Sequence, residues 1–117
     1  MTTTREPAAP AQTDDPVLDE MVRRLVDAVH PDRIILFGSR ARGDARPDSD
    51  YDLLLIAPSA LSRGDRSIPL FRALRGIPVP IDVIWRTQPE VDEWLGAKSY
   101  YTTRAVREGR VVYERAA

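Results

Sequence analysis

The chain has no cysteine, one histidine (His30) and one lysine (Lys98). Without thiols there is no disulfide framework and no thiolate metal site, and redox chemistry does not decide the compartment. His30 stands before Pro31 where a helical pattern ends, so it reads as a surface cation favoured by the helix dipole rather than as a ligand or base. Long hydrophobic runs are also missing. No apolar stretch approaches the ~18 residues of a membrane span and the N-terminus carries no apolar signal core, so a soluble cytoplasmic protein with no membrane partner is expected. Nor is there an excess of positive charge: the net charge is −1 and the pI about 5.8. A general nucleic-acid binder shows a basic domain or stripe, so no direct nucleic-acid partner is expected. Arginine, which supplies nearly all the basic residues, suits bidentate phosphate contacts, but a genomic bias in composition would give the same excess.

At 117 residues one core is expected, without a separate substrate-binding domain. Residues 1–14, with Thr2-Thr3-Thr4 and prolines among alanines, show no apolar periodicity and are expected to be a flexible tail before a single domain over 15–117. Asp15-Pro16 reads as an N-cap followed by proline at the first helical position. Val17, Leu18, Met21, Val22, Leu25, Val26 and Val29 then recur at helical spacing until His30-Pro31. Strands are expected at Arg33 to Phe37, Tyr51 to Ile56 and Val79 to Trp85, where Pro80 marks a strand beginning or an edge. Asp65 is a candidate cap for a helix to Leu74 with Leu70, Phe71 and Leu74 inward. Thr87 and Glu90 form a capping-box pattern before a helix with Val91, Trp94 and Leu95 inward, stopped by Gly96. A further helix over Ala97 to Glu108, with Tyr101, Ala105 and Val106 inward, and a short strand from Arg110 to Tyr113 complete one α/β domain without repeats.

The chemistry concentrates between Ile34 and Ile56. An apolar strand runs into Gly38-Ser39-Arg40-Ala41-Arg42-Gly43, a tight turn entering a short helix whose N–H groups would face an anion. Asp50 and Asp52 then fall two apart at the start of the next strand, so strand periodicity turns both carboxylates to one face. Adjacent acids repel and need a cation, and oxygen-only ligands suit Mg2+ or Mn2+, which share their coordination with substrate phosphates. Asp82 lies within Ile81-Asp82-Val83-Ile84, where an unpaired buried carboxylate would be costly.

These residues, Gly38-Ser39-Arg40-Ala41-Arg42-Gly43 with Ser49-Asp50-Tyr51-Asp52-Leu53, resemble the signature of the DNA polymerase beta-like nucleotidyltransferase superfamily. Within it the chain is most similar to the minimal nucleotidyltransferases of the MNT antitoxin type. The likeness is strongest over residues 34–56 and extends more weakly to about residue 113, because the family has a third carboxylate on a later strand, supplied here by Asp82. The resemblance implies an α/β (α+β) fold, a short mixed sheet with flanking helices and the three acids at one edge. It implies transfer of AMP from ATP, with Asp50, Asp52 and Asp82 holding two Mg2+ ions and Gly38 and Ser39 orienting the β and γ phosphates. Arg40 and Arg42 are candidates for triphosphate contacts, as is Arg46. MNT antitoxins act on HEPN-type ribonuclease toxins, so a HEPN-type toxin is the implied partner and a tyrosine hydroxyl on it the implied acceptor.

Blander readings stay open for each residue. Asp50 and Asp52 could be solvated turn and strand-end acids, Asp82 a solvent-facing acid on an edge strand, Ser39 only an N-cap, and the arginines solvated charges. Ser49 reads as a turn residue and Trp94 as core, while Trp85 either stacks on a base or packs at the sheet edge. Two other functions also remain: transfer to a small hydroxylated molecule such as an aminoglycoside, and a non-enzymatic antitoxin acting by contact alone. An additional substrate domain would favour the first, and a missing acid or Gly-Ser the second.

Overall fold

The computed structural model describes residues 13–95 and 100–116, with only the backbone of Tyr100 and Tyr101. Helix α1 (Pro16–Val29) begins where Asp15 accepts hydrogen bonds from the N–H groups of Val17 and Leu18, at 3.0 and 3.2 Å, and ends at His30 in the left-handed region. Its buried stripe is Leu18, Met21, Val22 and Leu25, spaced as the sequence predicts. Of the tail expected over residues 1–14, residues 1–12 lie outside the described residues. Thr13 is tied to α1, its N–H and hydroxyl each donating to Asp19 at 3.0 Å.

Strand β1 (Arg33–Phe37) is followed by the one-turn helix α2 (Ser39–Arg42) and strand β2 (Tyr51–Ile56). A 3-10 turn (Arg63–Arg66) leads into α3 (Ser67–Ala73), and then come β3 (Ile81–Arg86), α4 (Gln88–Trp94), α5 (Tyr100–Glu108) and β4 (Arg110–Glu114). The sheet order is β3-β2-β1-β4, with β1 antiparallel to β2 and β4, and β2 parallel to β3. This mixed four-stranded sheet flanked by helices is the expected fold class.

Alternation along the strands divides the core. Ile34, Leu36, Tyr51, Leu53, Leu55 and Trp85 face α1 and α3, whereas Ile35, Phe37, Leu54 and Ile56 face Val91 of α4 and Ala105 of α5. The central strands β1 and β2 are thus apolar on both faces, and truncating a fully buried residue such as Leu54 would cost about 2–5 kcal/mol. Gly109 lets α5 turn into β4 at close quarters: a Cβ there would meet the carbonyl oxygens of Ala105 and Leu36 at 2.5 and 2.7 Å.

Several local expectations are corrected. Ser62, not Asp65, caps the helical segment, its hydroxyl accepting from Asp65 N–H at 3.3 Å; Asp65 lies inside the 3-10 turn. Pro69 is tolerated because it falls in the first turn of α3, where its missing N–H has no helical acceptor to satisfy. Phe71 points out rather than in, 73 % exposed, and Leu95 is exposed too. Strand β3 begins two residues later than expected, after Pro80, and lies at the sheet edge. The Thr87 and Glu90 capping box is present in full. Trp94 is only partly covered and lies under the guanidinium groups of Arg63 and Arg86, 4.8 and 5.1 Å from the ring centroid, because α4 packs mainly through Val91. The expected stop at Gly96, the start of the next helix at 97–99 and the Tyr101 side chain fall outside the described residues. Among the described residues no helix is long and apolar enough to cross a membrane.

Candidate functional site

Phe37 ends β1 opposite Asp52 of β2, and Asp52 is in turn paired with Asp82 across the parallel β2–β3 ladder. The C-terminal end of β1 and the N-terminal ends of β2 and β3 therefore meet at one end of the sheet. Neighbouring strands lie about 4.8 Å apart, so the two carboxylates project side by side on the face that carries α4 and α5. Asp50 enters from the preceding turn and is exposed, as is Asp82. Asp52 is half-buried. Burial holds its carboxyl above the usual range, and the charges of Asp82 and Asp50 push it the same way against the opposing pull of Arg104 and Arg42. Asp82 bears no burial cost of the kind expected from its apolar neighbours, since this edge position is open to solvent, and it is placed beside Asp52.

The turn after β1 is shaped to this carboxylate. Gly38 adopts φ 75° and ψ −159°, a region that side chains exclude, and a Cβ there would run into Oδ2 of Asp52 and approach its Cγ to 3.2 Å. The crowding at Gly38 is thus with Asp52 itself. Gly38, rather than Ser39, occupies the N-cap of α2, its carbonyl accepting from Ala41 and Arg42 N–H at 3.1 Å each. Ser39 is the first helical residue, and its N–H and that of Arg40 have no intrahelical acceptor by position.

The arginines divide. Arg40 turns from the acids: its Nη2 donates to the carbonyls of Pro47 and Ser49 at 3.1 and 3.0 Å, and its guanidinium stacks on Tyr51, 4.1 Å from the ring centroid. Arg42 pairs with Asp44 at 3.3 Å while its charge reaches Asp52. Arg104 on α5, which the sequence reading missed, also acts on Asp52; its i, i+4 spacing to Glu108 looks like an ordinary surface pair, so nothing local singled it out. Ser49 is a turn residue as expected, its hydroxyl accepting from Arg46 N–H at 2.8 Å.

On the opposite face Tyr51 props the start of β2. Its hydroxyl donates to Oδ2 of Asp15, whose Oδ1 caps α1, and burial together with that bond pushes the phenol up to about 12. Cap, tyrosine and Arg40 thereby fix the strand end that carries Asp50 and Asp52. Trp85 is 7 % exposed and donates its Nε1–H to Ala57 O at 3.0 Å, so it packs and is not available to stack on a base.

Among the described residues no three carboxylate or imidazole groups converge as a metal cage. The donor chemistry nevertheless fits Mg2+, which is held by one or two carboxylates plus water and substrate phosphates rather than by an all-protein cage. Asp52, flanked by like charges against a turn with no room for a side chain, is the group a cation would relieve.

The fold defines an α/β nucleotidyltransferase-type domain. The profile of the nucleotidyltransferase domain family matches residues 18–110, most of the chain, and the chain belongs to that family. A toxin–antitoxin structure with AMP-PNP shares the fold at a TM-score of 0.61 and 18% identity, over 82% of this chain and 72% of that one. The toxin–antitoxin MntA–HpeT, in a mutant form with two aspartate-to-glutamate changes, is similar at 0.59 and 15%, over 82% and 71%. A Sulfolobus solfataricus protein of proposed nucleotidyltransferase activity gives 0.53 and 23%, over 87% and 90%. No curated protein matches the chain in sequence.

Proposed function

We propose that this nucleotidyltransferase is the antitoxin of a toxin–antitoxin pair, and that it transfers AMP from ATP to a hydroxyl, a tyrosine's, on a HEPN-type ribonuclease toxin. The observation that carries this reading is the side-by-side placement of Asp52 and Asp82, with Asp50 beside them, against a glycine turn that closes on Asp52. The fold shared with toxin–antitoxin structures, one with AMP-PNP, supports the partner and the nucleotide. The MntA–HpeT mutant is altered at two aspartates spaced as Asp50 and Asp52 are, which agrees with a role for the pair.

Asp50 and Asp52 would hold two Mg2+ ions, with Asp82 completing the second position. Those ions would neutralise the triphosphate and lower the pKa of the acceptor hydroxyl. Gly38 and the first N–H groups of α2 orient the β and γ phosphates, with Ser39 adding its hydroxyl, and Arg42 supplies charge at the rim. The acceptor oxygen bonds to the α phosphorus as the bond to pyrophosphate breaks, and the hydroxyl proton passes to a carboxylate oxygen of Asp82. No covalent intermediate on the chain is required, since the site works by positioning and charge. The AMP added to the toxin is a bulky anion where an RNA phosphate would sit.

The test is intact mass spectrometry of the neighbouring gene's product co-expressed with this protein. Additions of one or more AMP units appear with the wild type and not with Asp50→Asn. Identical partner masses together with full neutralisation by both forms would replace this reading with neutralisation by contact alone.

A further inference from the structure

Strand β3 leaves one edge of the sheet open, and that edge has two chemically distinct halves. Tyr51 N–H donates to Pro80 O and Ala57 N–H to Arg86 O, so alternation turns the backbone of Ile81, Val83 and Trp85 to the open side. Beside the first half lies an apolar groove of about 480 Å³ between β3 and α3, walled by Leu70, Leu74, Ile77 and Val83 and reaching Asp82. Phe71, which lines it, is 73 % exposed, a large apolar group with nothing over it among the described residues.

Beside the second half lies a smaller recess of about 200 Å³ lined by Arg63, Arg66 and Arg86, which shares Ser67, Leu70 and Val83 with the groove. Three guanidiniums gather there around one carboxylate, Glu90, which pairs with Arg66 at 2.7 Å and reaches Arg63 at 4.0 Å. Arg86 has no carboxylate at ion-pair distance among the described residues, and its buried Nε donates to no acceptor. A protein of net charge −1 thus carries a cationic cluster at one end of a strip whose other end is mainly apolar, with Arg75 and Asp82 among its lining residues.

We propose that the open edge of β3 is the docking strip for the acceptor protein. The occupant is an extended segment that pairs with Ile81 and Val83, seats an apolar side chain against Phe71, and sets a carboxylate on Arg63 and Arg86. Asp82 and Arg86 stand four residues apart, about 13 Å along the strand, so a segment anchored at the arginines passes the acids with its neighbouring residues. The charge selects an acidic segment over a basic one, and the reach to Asp82 selects the acceptor over an unrelated partner. This rests on the proposed transfer to a protein hydroxyl and names how that protein is held.

The probe is a random-peptide display library selected on the full-length protein, with enriched peptides resynthesised for fluorescence anisotropy. Enriched sequences are expected to alternate apolar residues and to carry Asp or Glu. Arg63→Glu and Phe71→Asp, both at exposed positions, are each expected to weaken binding about tenfold or more. The thermal shift given by ATP with Mg2+ stays as in the wild type in both variants. No enrichment, a basic consensus, or binding indifferent to both substitutions would overturn the proposal. So would a concentration-dependent dimer dispersed by Phe71→Asp, which would assign the groove to a second copy. A wild type that shows no ATP shift defeats the transfer reading separately, since peptide binding is read without nucleotide.

Discussion

Two carboxylates on the same side of one small sheet are treated in opposite ways. Asp52 is gathered with like charges and its carboxyl is held up; Glu90, clasped by Arg66, is held down to about 2, chiefly by that hydrogen-bonded pair. Arg66 is 7 % exposed, and its guanidinium also donates to the carbonyls of Trp85 and Leu61, so the pair fastens the 3-10 turn to β3 and α4. The Glu90 region spends a charge on holding structure, and the Asp52 region gathers like charges that Arg104 and Arg42 only partly offset. A perturbed carboxyl therefore marks a functional candidate only when the cause of the perturbation is known.

The largest expected effect breaks the first half of that comparison. Asp52→Asn should lower transfer of AMP by about 10²–10³-fold or more, read by partner mass, while the protein without ligand melts no lower than the wild type. Ionising Asp52 in the folded state costs stability as pH rises above the usual carboxylate range near 4, so the variant's advantage is absent below about pH 4 and grows as pH rises through the raised folded value. Thermal melts across that range, with and without Mg2+ and ATP, check both; an equal ligand-induced rise in the two proteins would count against the metal assignment.

Next in size is Arg66→Ala, expected to cost about 3–5 kcal/mol in urea unfolding because it strands a covered carboxylate. The sign for Glu90 is opposite to that for Asp52. Its folded pKa lies below the unfolded value near 4.3, so its contribution is complete above about pH 4.3 and is lost as pH falls through about 2. Glu90→Gln should flatten that acid limb, whereas Asp52→Asn should leave it in place.

Gly38→Ala sharpens the comparison at the site's own wall. A Cβ is both strained at this φ and in collision with Asp52, so a loss of about 1–3 kcal/mol is expected, with ATP affinity by calorimetry falling further than stability. The smallest effect is that of Tyr51→Phe, about 0.5–1.5 kcal/mol, through the lost bond to Asp15 beneath the acid-bearing strand.

Much of this architecture was legible in the residues because local and global signals agree. The Asp15-Pro16 cap, the unbroken apolar runs of β1 and β2, and the Thr87 and Glu90 box each have a local cause that the tertiary structure reinforces. Phe71, Trp94 and Leu95 were misread because helical spacing gives a face but not what covers it, and here α3 and α4 turn those residues away from the core. Strand periodicity put Asp50 and Asp52 on one face and the family resemblance implied Asp82 beside them, but the contact of Gly38 with Asp52 could not be anticipated, since it depends on the β1–β2 register. Arg104 was invisible for a like reason: only the packing of α5 on the sheet brings its charge to Asp52.

The parallel pairing of Asp52 with Asp82 has a consequence for how the chain finds its fold. If β3 slipped by one residue along β2, every side chain would change faces, driving Asp82 and Arg86 toward Leu70 and the core beneath α1 while Val83 and Trp85 emerged beside Asp52. Such a slip would bury two charges and expose a tryptophan, and it would take the backbone carbonyl of Trp85 from the two arginines that now donate to it. Asp82, proposed for the metal site, and Arg86, proposed for the docking strip, therefore also proofread the strand alignment, so that a misregistered molecule fails as a fold before it can fail in function.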